Sequence, residues 1–102
     1  MLNNYSELKK SAHLLKTLGN PHRLQIIVQL LDGEKNVTHI NASVAVSQPA
    51  LSQHLARLRS AGILGSRRDQ RQIFYFINND YVPELLALMA TMGDSKDLRK
   101  AA

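Results

Sequence analysis

Residues 47–59 read Ser47-Gln48-Pro49-Ala50-Leu51-Ser52-Gln53-His54-Leu55-Ala56-Arg57-Leu58-Arg59. Leu51, Leu55 and Leu58 step by 4 and 3, the spacing that lines one face of an α-helix. Ser47 is a good N-cap and Pro49 suits a first turn, so the helix opens here; Gly62 ends it. Gln48, Pro49, Ala50, Ser52, Gln53 and Arg57 avoid the leucine stripe and face outward. One side of this helix is built for a core and the other for a partner.

The neighbours on both sides give the helix a context. Before it, a short helix is expected from Thr38 to Ala45, with Ile40 and Val44 turned inward. Two helices joined by a tight turn make a helix-turn-helix over residues 38–60. After it the period changes from 3.6 to 2. Ile63 to Arg68 and Arg71 to Ile77 flank Asp69-Gln70, and Ile73, Tyr75 and Ile77 alternate with Phe74 and Phe76. That is a two-stranded hairpin over 63–77 with a basic tip, which makes the helix-turn-helix winged.

Further out, Tyr5, Leu8, Ala12 and Leu15 step by 3, 4 and 3, with Leu14 and Leu18 alongside, and Gly19 closes a helix over 5–18. Asn20-Pro21 opens the next, whose expected stripe is Leu24, Ile27, Val28 and Leu31, closed by Asp32-Gly33. A last helix is expected over 80–93. Tyr81, Leu85, Leu88 and Met92 line it, and Val82, Leu86 and Met89 widen the stripe beyond what one neighbour needs. The expected fold is mainly α with a two-stranded β-hairpin wing, in the order α-α-α-α-β-β-α, as one domain over 1–102. The terminal SKDLRKAA reads as frayed.

Composition narrows the function. At 102 residues the chain is one small domain, for which oligomerisation is a common source of stability. It has no cysteine, which excludes a disulfide scaffold, a Cys-ligated zinc site, an iron–sulfur cluster and a thiol nucleophile. The polar start, MLNNYSELKK, is not a signal peptide, and the longest apolar run, Leu85 to Ala90, is far short of a membrane span. A soluble, cytoplasmic protein is expected. Between Ser47 and Gln72, five arginines (57, 59, 67, 68 and 71) meet one aspartate, Asp69, and account for most of the net charge of +5. Such a patch is either a polyanion-binding footprint or a solvated charged face.

Leu18-Gly19-Asn20-Pro21-His22-Arg23-Leu24, the Ser47–Arg59 run, Ala61-Gly62-Ile63-Leu64 and the Arg-rich hairpin ending in Phe74-Tyr75 resemble the ArsR/SmtB family of bacterial dimeric winged-helix repressors. The resemblance covers about residues 10 to 92, and its wording is most similar to the HlyU-, BigR- and NolR-like subgroup. It implies a homodimer through the first and last helices, which releases DNA when an effector binds. The family's thiolate metal site on the third helix falls on Val37-Thr38-His39-Ile40-Asn41, without a thiol. Its site across the last helices falls on Asp80-Tyr81-Val82, with no later histidine, and the subgroup's two cysteines fall on Asn41 and roughly on Asp94. The resemblance thus implies the regulator without its usual sensors. The effector is left unknown, either a small organic ligand or none.

Residue chemistry supports DNA as the partner. Gln53 is long enough for a bidentate contact to adenine, Ser52 and Gln48 reach bases or phosphates, and Ala50 and Pro49 press on a thymine methyl. Ser47 either caps its helix or touches a base, and His54 either bonds a phosphate or sits beside its own turn. Arg57 and Arg59 suit phosphates, Arg23 is expected free to meet one, and Arg67, Arg68, Gln70 and Arg71 reach the flanking groove or backbone, with Asp69 shaping the turn. Leu8, Leu15, Tyr81, Leu85, Leu88, Met89 and Met92 are the expected dimer contacts. His13, His22 and His39 lie isolated in different helices, so no metal and no cofactor is expected, and nothing suggests an enzyme: there is no nucleophile elbow, phosphate loop or carboxylate pair. The expected function is a nucleoid-associated transcriptional regulator, a repressor on an inverted-repeat operator. The alternatives are an activator that displaces a silencing protein, and a winged-helix protein-interaction module.

Overall fold

A computed structural model describes residues 3–93; Asp94 and the SKDLRKAA stretch lie outside the described residues. The elements run α1 (Tyr5–Leu18), α2 (Pro21–Gln29), β1 (Lys35–Asn36), α3 (Val37–Ser43), α4 (Gln48–Ser60), β2 (Leu64–Asp69), β3 (Gln72–Ile77) and α5 (Tyr81–Gly93). The helix starts are set by short polar side chains that take up backbone N–H groups left without partners. Asn4 accepts from the N–H of Glu7, Asn20 from His22 and Arg23, Asn36 from His39, and Ser47 from Ala50. Asn79 does the same for Tyr81 and Val82 at the start of α5.

The buried core draws on all five helices and the base of the wing. Leu18 comes from α1, Ile26, Ile27 and Leu30 from α2 and its cap, and Ile40 and Val44 from α3 and its cap; Leu51, Leu55 and Leu58 come from α4, Ile63 and Leu64 from the wing base, and Val82 from α5. The expected stripe of α2 is out of phase. Val28 and Leu31 are about half exposed, and Ile26 is fully buried in their place. Ile26-Ile27-Val28 is an unbroken apolar run, so periodicity allows two phases and packing against α4 selects one.

The wing is three-stranded, not the expected two-stranded hairpin. β1 pairs antiparallel with β3, Lys35 opposite Tyr75 and Asn36 opposite Phe74, giving the order β1-β3-β2. Two residues of strand carry no periodicity, so the sequence does not announce them. The turn is also one residue later than expected. Asp69 pairs with Gln72, which leaves Gln70-Arg71 as the loop, and Gln70 takes φ 58, the left-handed conformation that a primed hairpin turn needs.

Register sorts the wing into two faces. Leu64, Ser66 and Arg68 lie opposite Ile77, Tyr75 and Ile73 on the face that starts at the core. Gly65, Arg67 and Asp69 lie opposite Phe76, Phe74 and Gln72 on the outer face. The Phe76 ring lies over Gly65 so closely that a Cβ there would come within 2.5 Å of it. No helix among the described residues is long and apolar enough to cross a membrane.

Leu55 is 2% exposed, at the centre of the α4 contact. Leu55→Ala should lower the unfolding free energy by about 2–5 kcal/mol, the usual range for deleting a fully buried leucine. Gln53→Ala, two residues away on the exposed side, should change it by less than about 0.5 kcal/mol. Denaturant melts of the two variants check the orientation of the helix.

Candidate DNA-binding surface

α4 meets the core through Leu51, Leu55 and Leu58, which turns Gln48, Pro49, Ser52, Gln53 and Arg57 to the exposed side. Ala50 is half-buried. The Ser47 hydroxyl accepts from the N–H of Ala50 at 3.2 Å, so of its two readings the structure contains the cap. The cap leaves the first turn of α4 facing outward, beside the wing. Gln48 and Ser52 line one wall of a groove of about 400 Å³ whose other wall is Arg71, Gln72 and Ile73 of the hairpin.

His54 sits at the seam between α4 and α2, not free on the reading face. Its ring lies 5.9 Å from that of His22, and its Nδ1 is 3.4 Å from Nη1 of Arg23. Partial burial first, then the positive charge of Arg23, His22 and Arg57, holds its pKa below the ordinary imidazole value.

Arg23, expected free, is committed to structure. Its Nε donates to the carbonyl of Thr17 at 2.6 Å and its Nη2 to that of Lys16 at 3.4 Å. Both carbonyls lie in the last turn of α1, where backbone acceptors run short of intrahelical donors; that of Lys16 also accepts from the N–H of the cap residue Gly19 at 3.3 Å. The guanidinium therefore closes the C-terminus of α1.

The wing arginines divide by register. Arg67, on the outer face, donates from Nε to Glu34 Oε2 at 2.7 Å and from Nη2 to the other oxygen, and it lies over the Phe74 ring at 4.7 Å. The pair holds the Glu34 carboxyl below its usual pKa and raises that of Arg67. Arg68, Gln70 and Arg71 are exposed, and neither arginine has an ion-pair partner among the described residues. The expected tip cluster is thus two free cations and one already neutralised.

Two residues that sequence reasoning did not single out fix the wing relative to the helices. Glu34 ties β2 through Arg67. Asn36 caps α3 with its Oδ1 and donates from Nδ2 to the Gln72 side chain at 3.0 Å. Both contacts join residues more than thirty positions apart, which no local pattern reveals.

On the dimer side, Tyr5, Leu8, Leu15, Tyr81, Leu88, Met89 and Met92 are all exposed, at 40% or more of their surface. Leu85 instead packs, with Leu86, against the chain's own core. Among the described residues no three His, Asp or Glu side chains gather as metal ligands.

Residues 20–66 match the model of the bacterial regulatory protein, arsR family. The transcriptional activator HlyU of Vibrio cholerae is 37% identical over 90 residues, which cover 84% of this chain and 83% of that protein. The chain belongs to the ArsR family. As an ArsR-family protein it is a DNA-binding transcription regulator. The biofilm growth-associated repressor of Xylella fastidiosa is 38% identical over 81 residues, covering 79% of this chain and 71% of that one. The structure of reduced HlyU from Vibrio cholerae superposes with a TM-score of 0.80 at 33% identity, over 93% of this chain and all of that one. That of a homodimeric winged helix-turn-helix DNA-binding domain from Mycobacterium bovis does so at 0.79 and 31%, over 89% and 84%. The fold described above is that ArsR-family winged helix-turn-helix.

The lowered pKa of His54 carries a sign. Below the ordinary imidazole pKa the unfolded chain takes up a proton at this residue that the folded chain still refuses, so folding stability falls with pH until the folded pKa is passed. Stability should decline as pH drops from about 6.5 and be flat in this respect above about 7.5. His54→Gln should flatten that decline in thermal melts taken between pH 5 and 8.

Proposed function

We propose that the chain works as a homodimeric repressor, its two α4 helices reading an inverted-repeat operator in successive major grooves while the wings lie on the flanks. One observation carries the reading. Gln48 and Ser52 of the polar stripe of α4 and Arg71 of the hairpin tip border one groove, and Arg68, also exposed, stands on the adjoining strand of the same hairpin. Major-groove helix and flanking hairpin are the two reading elements that a winged helix-turn-helix needs.

The roles divide by chemistry. Gln53, Gln48 and Ser52 choose the sequence, with Gln53 suited to adenine, and Pro49 and Ala50 shape the apolar contact. The Ser47 cap aims the first N–H groups of α4 at a phosphate. Arg57, Arg59, Arg68 and Arg71 supply salt-sensitive affinity, Gln70 follows them at the turn, and His54 buttresses the seam behind Arg57. Arg67 contributes less than its charge suggests, because a phosphate has to compete with Glu34 for it. Stretch 38–60 then acts as the reading unit, 63–77 as the wing, and 5–18 with 80–93 as the dimerisation helices of one domain working in the cytoplasm on the nucleoid. Repression follows from occupancy: a dimer lying in the grooves of a promoter excludes polymerase.

The exposed apolar side chains of α1 and α5 support the dimer. Leu8 and Leu15 on α1 and Tyr81, Leu88, Met89 and Met92 on α5 are each at least 40% exposed, and large apolar side chains gathered on exposed helices mark an interaction surface. Leu88→Glu should shift the protein to a monomer in sedimentation equilibrium, with operator affinity falling together with dimer content.

Selection of binding sites from random duplexes tests the reading itself. The wild type should enrich an inverted repeat, and Gln53→Ala should lose discrimination at one position in each half-site. On the selected site, Arg68→Ala should weaken all sequences alike and lower the slope of log K against log salt by about 1, and Arg67→Ala should lower it by less. Enrichment of no sequence would favour the protein-interaction module.

A further inference from the structure

A second basic surface lies outside the recognition helix and the wing. α1 and the C-terminal half of α4 enclose a cleft of about 230 Å³ lined by His13, Lys16, Thr17, Arg23, Arg57 and Ser60. It continues, sharing His13 and Ser60, into a shallower groove of about 460 Å³ that adds Lys9 and Lys10. We propose that this groove is a phosphate site, which takes the phosphodiester backbone of the DNA as it leaves the recognition helix.

Position is the first argument. Gln53, Arg57 and Ser60 are spaced 4 and 3 and share one face of α4, so the groove opens as a continuation of the reading stripe. From α1, Lys9, His13 and Lys16 repeat the same 4 and 3 spacing. They form a stripe beside the Tyr5, Leu8, Ala12 and Leu15 face assigned to the dimer, and Lys9 marks its border, 5.7 Å from the centre of the Tyr5 ring.

Charge is the second argument. No carboxylate lines either part of the groove. The ion pairs among the described residues all lie elsewhere, at Asp32–Lys35, Glu34–Arg67 and Arg67–Asp69. Lys9, Lys10, Lys16 and Arg57 are exposed, have no ion-pair partner among the described residues, and border these two adjoining grooves. A concave surface lined by one sign of charge concentrates counter-ions of the other sign.

Rigidity is the third. Arg23 is pinned by the carbonyls of Thr17 and Lys16, and the Thr17 hydroxyl donates to the carbonyl of His13 at 2.8 Å. The floor is therefore fixed by the end of α1, and only the rim carries mobile cations.

The proposal rests on the DNA-reading role given above, and a free phosphate offers the same oxygens, so the test separates three questions. Lys16→Gln, Lys16→Arg and His13→Gln/Lys16→Gln dimers are titrated with the selected operator over a range of salt. Lys16→Gln should lower the salt slope by about 0.9, leave the selected sequence unchanged, and be rescued by Lys16→Arg. A reduced slope supports the backbone site. In parallel, inorganic pyrophosphate is titrated into the DNA-free dimers by calorimetry. An unchanged slope with saturable pyrophosphate binding that Lys16→Gln abolishes would overturn the backbone assignment in favour of a free oxyanion. An unchanged slope and no pyrophosphate binding that depends on His13 or Lys16 would overturn the site altogether and leave a solvated face. Arg68→Ala in the same titrations reports on the wing, so a failure of the whole DNA reading is seen separately from a failure of the groove.

Discussion

The contact of Leu51, Leu55 and Leu58 with the core is the constraint on which the rest depends. Each is at most 2% exposed, and together they fix the rotation of α4 about its own axis. Once that rotation is set, the positions a half-turn away have no choice but to face solvent, and those positions hold glutamine, serine and arginine. Burial of three side chains, each worth about 1.5–3 kcal/mol, thus does the orienting work that a reading helix requires. The other core residues serve mainly to give those leucines something to pack against.

A second constraint decides which charges are available. Lys35 pairs with Asp32 and donates to the Gln29 carbonyl at the end of α2; Arg23 closes α1, and Arg67 is held by Glu34. These cations hold the scaffold together. Arg57, Arg59, Arg68 and Arg71 have no ion-pair partner among the described residues. The chain spends its carboxylates on fixing the wing and the α2–α3 connection and withholds them from the recognition helix. Net charge alone overstates the DNA-facing field, and its distribution corrects it.

Much of this was legible in residue order, for definable reasons. The helices of α4 and α1 announce themselves because their apolar spacing is regular and their ends carry Asn, Ser, Pro or Gly, so local physics and packing agree. The hairpin is legible from β-branched and aromatic alternation. The phase of α2 was not, because three consecutive apolar residues fit two rotations and only the neighbouring helix chooses between them. β1 was not, because a strand of two residues has no period. The fates of Arg23 and Arg67 were hidden for a different reason: their partners, the α1 carbonyls and Glu34, are brought close only by the finished fold. A basic side chain in a sequence is a charge, and whether it is free is a tertiary fact.

In the proposed complex, two outward faces of α4, related by a two-fold axis, enter successive major grooves with the hairpins outside them. Hydroxyl-radical footprinting combined with guanine-methylation interference on the selected operator reads that geometry directly. Such a complex should give two symmetric sets of major-groove interference about 10 base pairs apart, with backbone protection extending into the minor groove on both outer flanks. Interference confined to one half-site, or outer flanks left fully open to cleavage, would contradict it.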